Sequence, residues 1–211
     1  AIACRALDIP ITGGNVSLYN ETDGQGVLPT PVLGVVGVIE DASTVVRRAF
    51  QAADDRVLLL GDSRAELGGS EYLNVVHGVI RGVPPALDLK REAALQQLLV
   101  EGGAKGLIRS AHDCAEGGVA VTLAESCFDT GLGVQADLEA VTAESGFGDI
   151  ATLFGESASR VIVSVAAPRM AELIALATAA GIPAREIGRV GGDRIRVSVT
   201  GRTVIDEPLR E

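Results

Sequence analysis

Residues 12–21 read Thr-Gly-Gly-Asn-Val-Ser-Leu-Tyr-Asn-Glu and follow a short apolar run, Leu7 to Ile11. A chain that leaves a buried strand through Gly13-Gly14 can take backbone angles closed to other residues. It can also bring its N–H groups close to a phosphate. Asn15 then offers a neutral carbonyl oxygen of the kind Mg²⁺ accepts, and Ser17 offers a hydroxyl to an anionic substrate. A tight strand-to-loop turn with polar caps has the same spacing, so these residues alone leave both readings open.

Working outward, Ile2–Leu7 reads as the last turns of a helix and Ile9–Thr12 as a short strand entering the glycine turn. Residues 18–31 are polar and contain Gly and Pro, the pattern of a surface loop. Val32–Ile39 is almost wholly apolar and β-branched, which predicts a buried strand. Asp41–Ala53 follows as a helix, with Ser43 its N-cap. Together these make the remnant of a first domain, too small to bury its own core.

A second unit begins near Asp54-Asp55. Arg56–Leu60 is a strand ending in Gly61-Asp62-Ser63, and Tyr72–Val79 has the apolar period of a helix. Asp88–Glu101 has the 3.6-residue period, with Gly102-Gly103 as its stop. Ile108–Ala111 is a short strand and Gly117–Phe128 a helix. Arg160–Ala166 is a strand, and Pro168 opens a helix that runs to Gly181. The tail from Ala184 to Pro208 alternates strands with the turns Gly191-Gly192-Asp193 and Thr200-Gly201.

Composition narrows the function class. Apolar residues make up 47% of 211, with 3% aromatic, which describes a folded α/β or α+β protein rather than a disordered one. The longest apolar stretches, such as Val57–Leu60 and Val161–Ala167, are far short of a membrane span. A formal charge of −10 argues against nucleic acid as a partner, since phosphate backbones are bound chiefly by Lys and Arg. Cys4, Cys114 and Cys127 show no metal-type spacing and read as three reduced thiols of a cytosolic protein.

Asp113-Cys114-Ala115-Glu116 has the D-x-x-E form of a capping box. The helix start it predicts would also attract phosphate if Gly117-Gly118 lets a ligand approach. His112 and His77 have no companion at metal or triad spacing and read as hydrogen-bonded structural residues. Gly68-Gly69-Ser70-Glu71 resembles a strand-to-helix elbow that could cap a helix or hold a ligand. No Walker-type Gly-x-x-x-x-Gly-Lys-Ser/Thr occurs, and no Rossmann fingerprint follows a strand. Gly102-Gly103-Ala104-Lys105-Gly106 makes a poor phosphate cradle.

The order of residues adds a resemblance. Gly-Gly-Asn-Val-Ser-Leu-Tyr-Asn-Glu-Thr follows Ala-Cys-Arg-Ala-Leu-Asp and precedes Pro-Thr-Pro-Val-Leu-Gly-Val-Val-Gly. Further on stand Leu67–Leu73 (LGGSEYL), Ser110–Gly118 (SAHDCAEGG) and Phe154–Ser157 (FGES). In this order they resemble the second half of the small-type phosphoribosylformylglycinamidine synthases, within the aminoimidazole-ribonucleotide synthetase superfamily. The resemblance implies an α+β (layered α/β) fold, a mixed sheet packed with helices. Residues 1–53 would be the end of the second N-terminal-type nucleotide-binding subdomain and 54–211 the C-terminal domain.

The same resemblance implies an ATP-dependent C–N ligase of purine biosynthesis, cytoplasmic, converting formylglycinamide ribonucleotide to the amidine with glutamine-derived ammonia. ATP phosphorylates the amide oxygen and ammonia displaces the phosphate. Carried over, Gly14 contacts ATP, Asn15 ligates Mg²⁺ and Ser17 contacts the substrate. The family's catalytic histidines and most acidic metal ligands lie in the first half, so this fragment alone is expected to be inactive. Glu156-Ser157-Ala158 has Ala where the first half's substrate-contacting Glu-Ser-Gln has Gln, which favours a structural role. The implied partners are a glutaminase and small accessory subunits, with a second copy able to pair along exposed strand edges. The alternatives are a non-catalytic nucleotide-binding or scaffold module, aminoimidazole-ribonucleotide synthetase and selenophosphate synthetase; the segment Asn15–Glu21 and the Gly-Gly-Ser-Glu-Tyr elbow disfavour the two enzymes.

Overall fold

A run of apolar residues becomes a strand only where a neighbouring strand takes its backbone hydrogen bonds. The computed structural model describes residues 1–16, 19–142 and 148–209, and divides the chain into two compact units, Ala1–Val45 and Val46–Glu211.

The first unit holds helix α1 (Ile2–Ala6) and a two-stranded hairpin, β1 (Glu21–Thr22) and β2 (Gln25–Gly26). Asp23 and Gly24 turn the hairpin with φ of 51° and 76°, the Asp-Gly geometry that suits a tight two-residue loop. None of its described residues is buried, as expected of a remnant too small for a core. For the same reason neither Ile9–Thr12 nor Val32–Ile39 is a strand. Val32, Val36 and Val38 are each at least 90% exposed, with no strand paired to them among the described residues. Asp41, not Ser43, caps a single 3₁₀ turn over Ala42–Thr44, its carboxylate accepting from the Ser43 N–H and hydroxyl. The predicted helix does not continue to Ala53. Residues 46–53 pack instead with the second unit. Phe50 is fully buried there, its N–H bonded to the Ser126 carbonyl at 2.8 Å, and the Ala111 N–H bonds the Arg47 carbonyl. The two compact units accordingly divide before Val46.

In the second unit the elements run β3 (Arg56–Leu60), α2 (Glu71–His77), α3 (Leu89–Ala104), β4 (Ser110–Asp113), α4 (Gly118–Phe128), β5 (Val134–Asp137), α5 (Glu139–Thr142) and α6 (Asp149–Phe154). They end with β6 (Val161–Val165), α7 (Met170–Ala179), β7 (Ala184–Val190), β8 (Arg194–Val199) and β9 (Arg202–Pro208). Seven strands form one mixed sheet in the order β4-β6-β3-β7-β5-β8-β9. Every neighbouring pair is antiparallel except β5 with β8.

The centre of the sheet is buried on both faces, which is why β3 and β6 are apolar apart from Arg56 and Ser164. Val57, Leu59 and Ile162 face one core with Val119, Leu123 and Leu153. Leu58, Leu60 and Val163 face the other with Leu95, Leu98 and Leu173.

Helix α3 starts where predicted, the Asp88 carboxylate accepting from the Lys90 and Arg91 N–H groups; those two bonds hold its carboxyl below the usual range. It does not stop at Gly102-Gly103. Gly102 lies inside the helix because Ile108 packs where its Cβ would be, with Ile108 Cδ1 2.7 Å from that position. The chain turns instead at Gly106, with φ of 61°. Pro168 opens a 3₁₀ turn, and α7 follows it. Among the described residues no helix is long and apolar enough to cross a membrane.

The cysteines are free thiols, Cys114 and Cys127 buried. Burial pushes the Cys127 thiol from 9.0 up to about 12. A group whose folded pKa lies above its unfolded value stabilises fully below the unfolded value and loses that contribution as pH climbs through the folded one. Stability should therefore fall between pH 9.0 and about 12. The decline should be shallower in Cys127→Ala, as read from urea midpoints across that range.

Candidate functional site

Three of the segments singled out by sequence meet at one carboxylate. Glu156 Oε1 accepts from the Gly117 N–H at 2.8 Å and from the Glu71 N–H at 2.9 Å. It thereby joins the start of α4 to the start of α2. The Glu156 N–H in turn bonds the Glu66 carbonyl at 3.0 Å. Ser70 caps α2, its hydroxyl donating to the Leu67 carbonyl at 2.7 Å and accepting from the Leu73 N–H. Tyr72, one turn on, stacks on Phe154 with ring centroids 5.2 Å apart.

The start of α4 differs from the predicted capping box. Asp113 is the last residue of β4, opposite Val161, and the helix begins only at Gly118. Gly117 and Gly118 carry φ of 78° and 63°, a left-handed pair that reverses the chain between strand and helix. A Cβ on Gly118 would stand 2.5 Å from the Gly155 carbonyl oxygen, so this turn is pressed onto the Phe154–Ser157 segment.

Beside this junction opens a cavity of about 390 Å³, lined by Glu71, His112, Asp113, Glu116, Thr122 and Glu125 among others. His112 is held between two carboxylates, Nε2 2.8 Å from Glu125 Oε2 and Nδ1 3.5 Å from Asp113 Oδ1. Thr122 donates its hydroxyl to the Gly118 carbonyl at 2.9 Å. Four carboxylates around one imidazole favour an amine or cation over a phosphate. Among the described residues, though, no group of three or more His, Cys, Asp and Glu could hold a metal ion. His77 meets the Tyr72 ring edge-on at 5.5 Å, a packing contact.

Beneath the junction lies a residue that sequence reading missed. Arg160 is 3% exposed. It donates through Nε to the Ser157 carbonyl, through one terminal nitrogen to Ser63 Oγ and through the other to the Gly155 carbonyl, at 2.9, 2.9 and 2.5 Å. Ser157 pins the next loop, its hydroxyl accepting from the Arg64 N–H at 3.0 Å and donating to the Arg64 carbonyl at 3.2 Å. Glu156 and Ser157 are thus occupied by the scaffold. The only signal in the sequence is an arginine directly before a strand that is apolar except for Ser164.

The other candidate residues belong to the first unit. Gly13 and Gly14 are exposed, have no left-handed φ and have no atom within 4 Å of a Cβ position. The glycine pair is therefore an open segment, with no buried strand leading into it among the described residues. Asn15 is exposed beside them, and Ser17 lies outside the described residues. Mg²⁺ takes about six oxygens in near-octahedral geometry. The Asn15 amide supplies at most one of these oxygens.

Residues 52–200 match the family AIR synthase related protein, C-terminal domain. The chain belongs to this family. The match takes in β3 to β8 and most of both cores, while β9 and Phe50 lie outside it. The chain is 47% identical over 211 residues to the phosphoribosylformylglycinamidine synthase subunit PurL of Thermomicrobium roseum, covering all of this chain and 28% of that protein. Its fold is that of T. maritima PurL complexed with FGAR (TM-score 0.69, 17% identity, 79% of this chain and 29% of the other). T. maritima PurL complexed with ATP agrees (TM-score 0.65, 19% identity, 79% and 27%). The chain spans less than a third of the length of the relative and of either structure.

Proposed function

We propose that this chain is one part of an ATP-dependent C–N ligase, phosphoribosylformylglycinamidine synthase. It would supply the end of a nucleotide-binding subdomain and the complete C-terminal domain of the second half. The observation that carries this reading is 47% identity to a synthase subunit across every residue of the chain. In the reaction, the amide oxygen of formylglycinamide ribonucleotide takes the terminal phosphoryl group of ATP, releasing ADP. Ammonia then attacks the amide carbon, phosphate departs and the amidine remains.

On this reading Gly14 contacts ATP, Asn15 gives one oxygen to Mg²⁺ and Ser17 contacts the substrate. The remaining Mg²⁺ ligands come from outside these 211 residues. The residues around Glu156 and Arg160 act as scaffold, joining the starts of α2 and α4. The working complex would include a glutaminase that supplies ammonia and small accessory subunits, and would reside in the cytoplasm.

Calorimetry with ATP and Mg²⁺ on a longer polypeptide of the length of the synthase relatives, beside its Asn15→Ala variant, tests this assignment. The variant should bind Mg²⁺-ATP roughly tenfold or more weakly, the scale of losing one element of a metal site. Unchanged affinity would remove Asn15 from the site.

A further inference from the structure

The sheet's second face is only half covered. Helices α3 and α7 pack over β3 and β6 through Leu58, Leu60, Val163, Leu98 and Leu173. Toward β5, β8 and β9 the same face is open to solvent, with Gln135, Arg196 and Asp206 exposed.

The register sets five side chains in one row across five strands. Arg56 stands opposite Arg189, Arg189 opposite Gln135, Gln135 opposite Arg196, and Arg196 opposite Asp206. Directly paired residues share a face, so Arg189 and Arg196 flank Gln135 at roughly 10 Å from each other, two strand spacings. This stretch of the row opens into a cleft of about 360 Å³, lined by Arg189, Arg194, Arg196, Gln135, Asp54 and Asp193 with the Gly191-Gly192 turn.

Its arginines are ion-paired, but the pairs are exposed or shared. Arg194 and Arg196 share one directly bonded carboxylate, Asp206, at 2.6 and 2.9 Å. Arg189 reaches Asp54 with one terminal nitrogen at 3.3 Å, and both side chains are mostly exposed. Exposed pairs of this kind are weak and exchange readily. The Gln135 side-chain amide has no partner among the described residues. Three arginines meet three carboxylates here, Asp54, Asp193 and Asp206, so the cleft is balanced in a chain of net charge −10.

We propose that this cleft binds a small oxyanion of the phosphate class, gripped by Arg189 and Arg196 with the Gln135 amide between them. The guanidinium forks match an oxyanion through paired N–H donors, which a lysine point charge would not do. The cleft is built wholly within the second unit and is independent of Gly14, Asn15 and Ser17.

The test titrates the 211-residue chain with inorganic phosphate against chloride at constant ionic strength, followed by two-dimensional NMR of backbone amides, the Gln135 side chain and Arg Nε groups. Saturable shifts confined to Gln135, Arg189, Arg196, Gly191 and Gly192 are expected. An Arg189→Gln/Arg196→Gln variant should weaken binding at least tenfold, while Arg202→Gln, on β9 outside the lining, should leave it unchanged. Should the double variant not fold, Gln135→Ala, at an exposed position, is expected to weaken binding several-fold. Ribose 5-phosphate run in parallel separates the two sources of the group: tighter saturable binding assigns the cleft to a phosphorylated small molecule, equal binding to phosphate itself. Shifts that grow linearly without saturating, or saturable shifts of equal affinity in the variants, would overturn the proposal.

Discussion

Replacing Arg160 with methionine is expected to lower the stability of the second unit by about 3–5 kcal/mol, the cost of removing one partner from a buried charged network. The guanidinium fills three acceptors, at Gly155, Ser157 and Ser63, and none of the three has an obvious substitute donor once it is gone. Burial lowers the Arg160 pKa from its usual value, and the nearby Glu66 and Glu156 carboxylates work against that shift. Methionine would keep most of the volume and remove the charge, so those carboxylates would lose their counter-ion as well. Urea unfolding should show the midpoint falling by roughly 2 M at an ordinary m-value. Arg160→Lys should fall between, since one ammonium keeps the charge but cannot span three acceptors in the guanidinium plane. A midpoint within experimental error of the parent would show that Arg160 does not hold the Gly155–Ser157 segment.

The second large effect is expected at Phe50. Truncation to alanine should cost about 3–5 kcal/mol, the range for removing a buried aromatic and leaving its cavity. Phe50 is fully buried among residues of β3, α4 and the neighbouring strands, in the larger of the two cores. The loss should appear in the unfolding of the whole second unit, because residues 46–53 form part of it. A small loss, confined to the first residues of the chain, would instead join residues 46–53 to the first unit.

Phe50 also shows where sequence reading reached its limit. Asp41–Ala53 has a mixed pattern that a helix can satisfy, and only the distant Ser126 carbonyl and the core around Val119 and Leu123 decide otherwise. The centre of the sheet was easy to read: β3 and β6 are buried on both faces, so hydropathy alone marks them. The strand β5 was not read, because four residues of Val-Gln-Ala-Asp carry little pattern. Its partners, β7 and β8, lie about fifty or more positions further along the chain. Val32–Ile39 shows the converse, a strand pattern that stays exposed where no strand pairs with it among the described residues.

The site divides in the same way. The motifs LGGSEYL, SAHDCAEGG and FGES were visible, and their meeting at Glu156 explains why they are spaced through the chain. The capping box at Asp113 was misread because two left-handed glycines delay the helix, and a side-chain pattern carries no record of φ. Arg160 was missed because its three partners are carbonyl and hydroxyl oxygens that leave no charge signature in the sequence.

The most direct measurement compares the 211-residue chain with a longer polypeptide that extends it to the length of its synthase relatives. Each is incubated with formylglycinamide ribonucleotide, ATP, Mg²⁺ and ammonia, and amidine and ADP are quantified. The longer polypeptide should form amidine with one ADP per turnover, and the chain alone should form none. Amidine from the chain alone, or none from the longer polypeptide, would contradict its assignment as one part of a synthase.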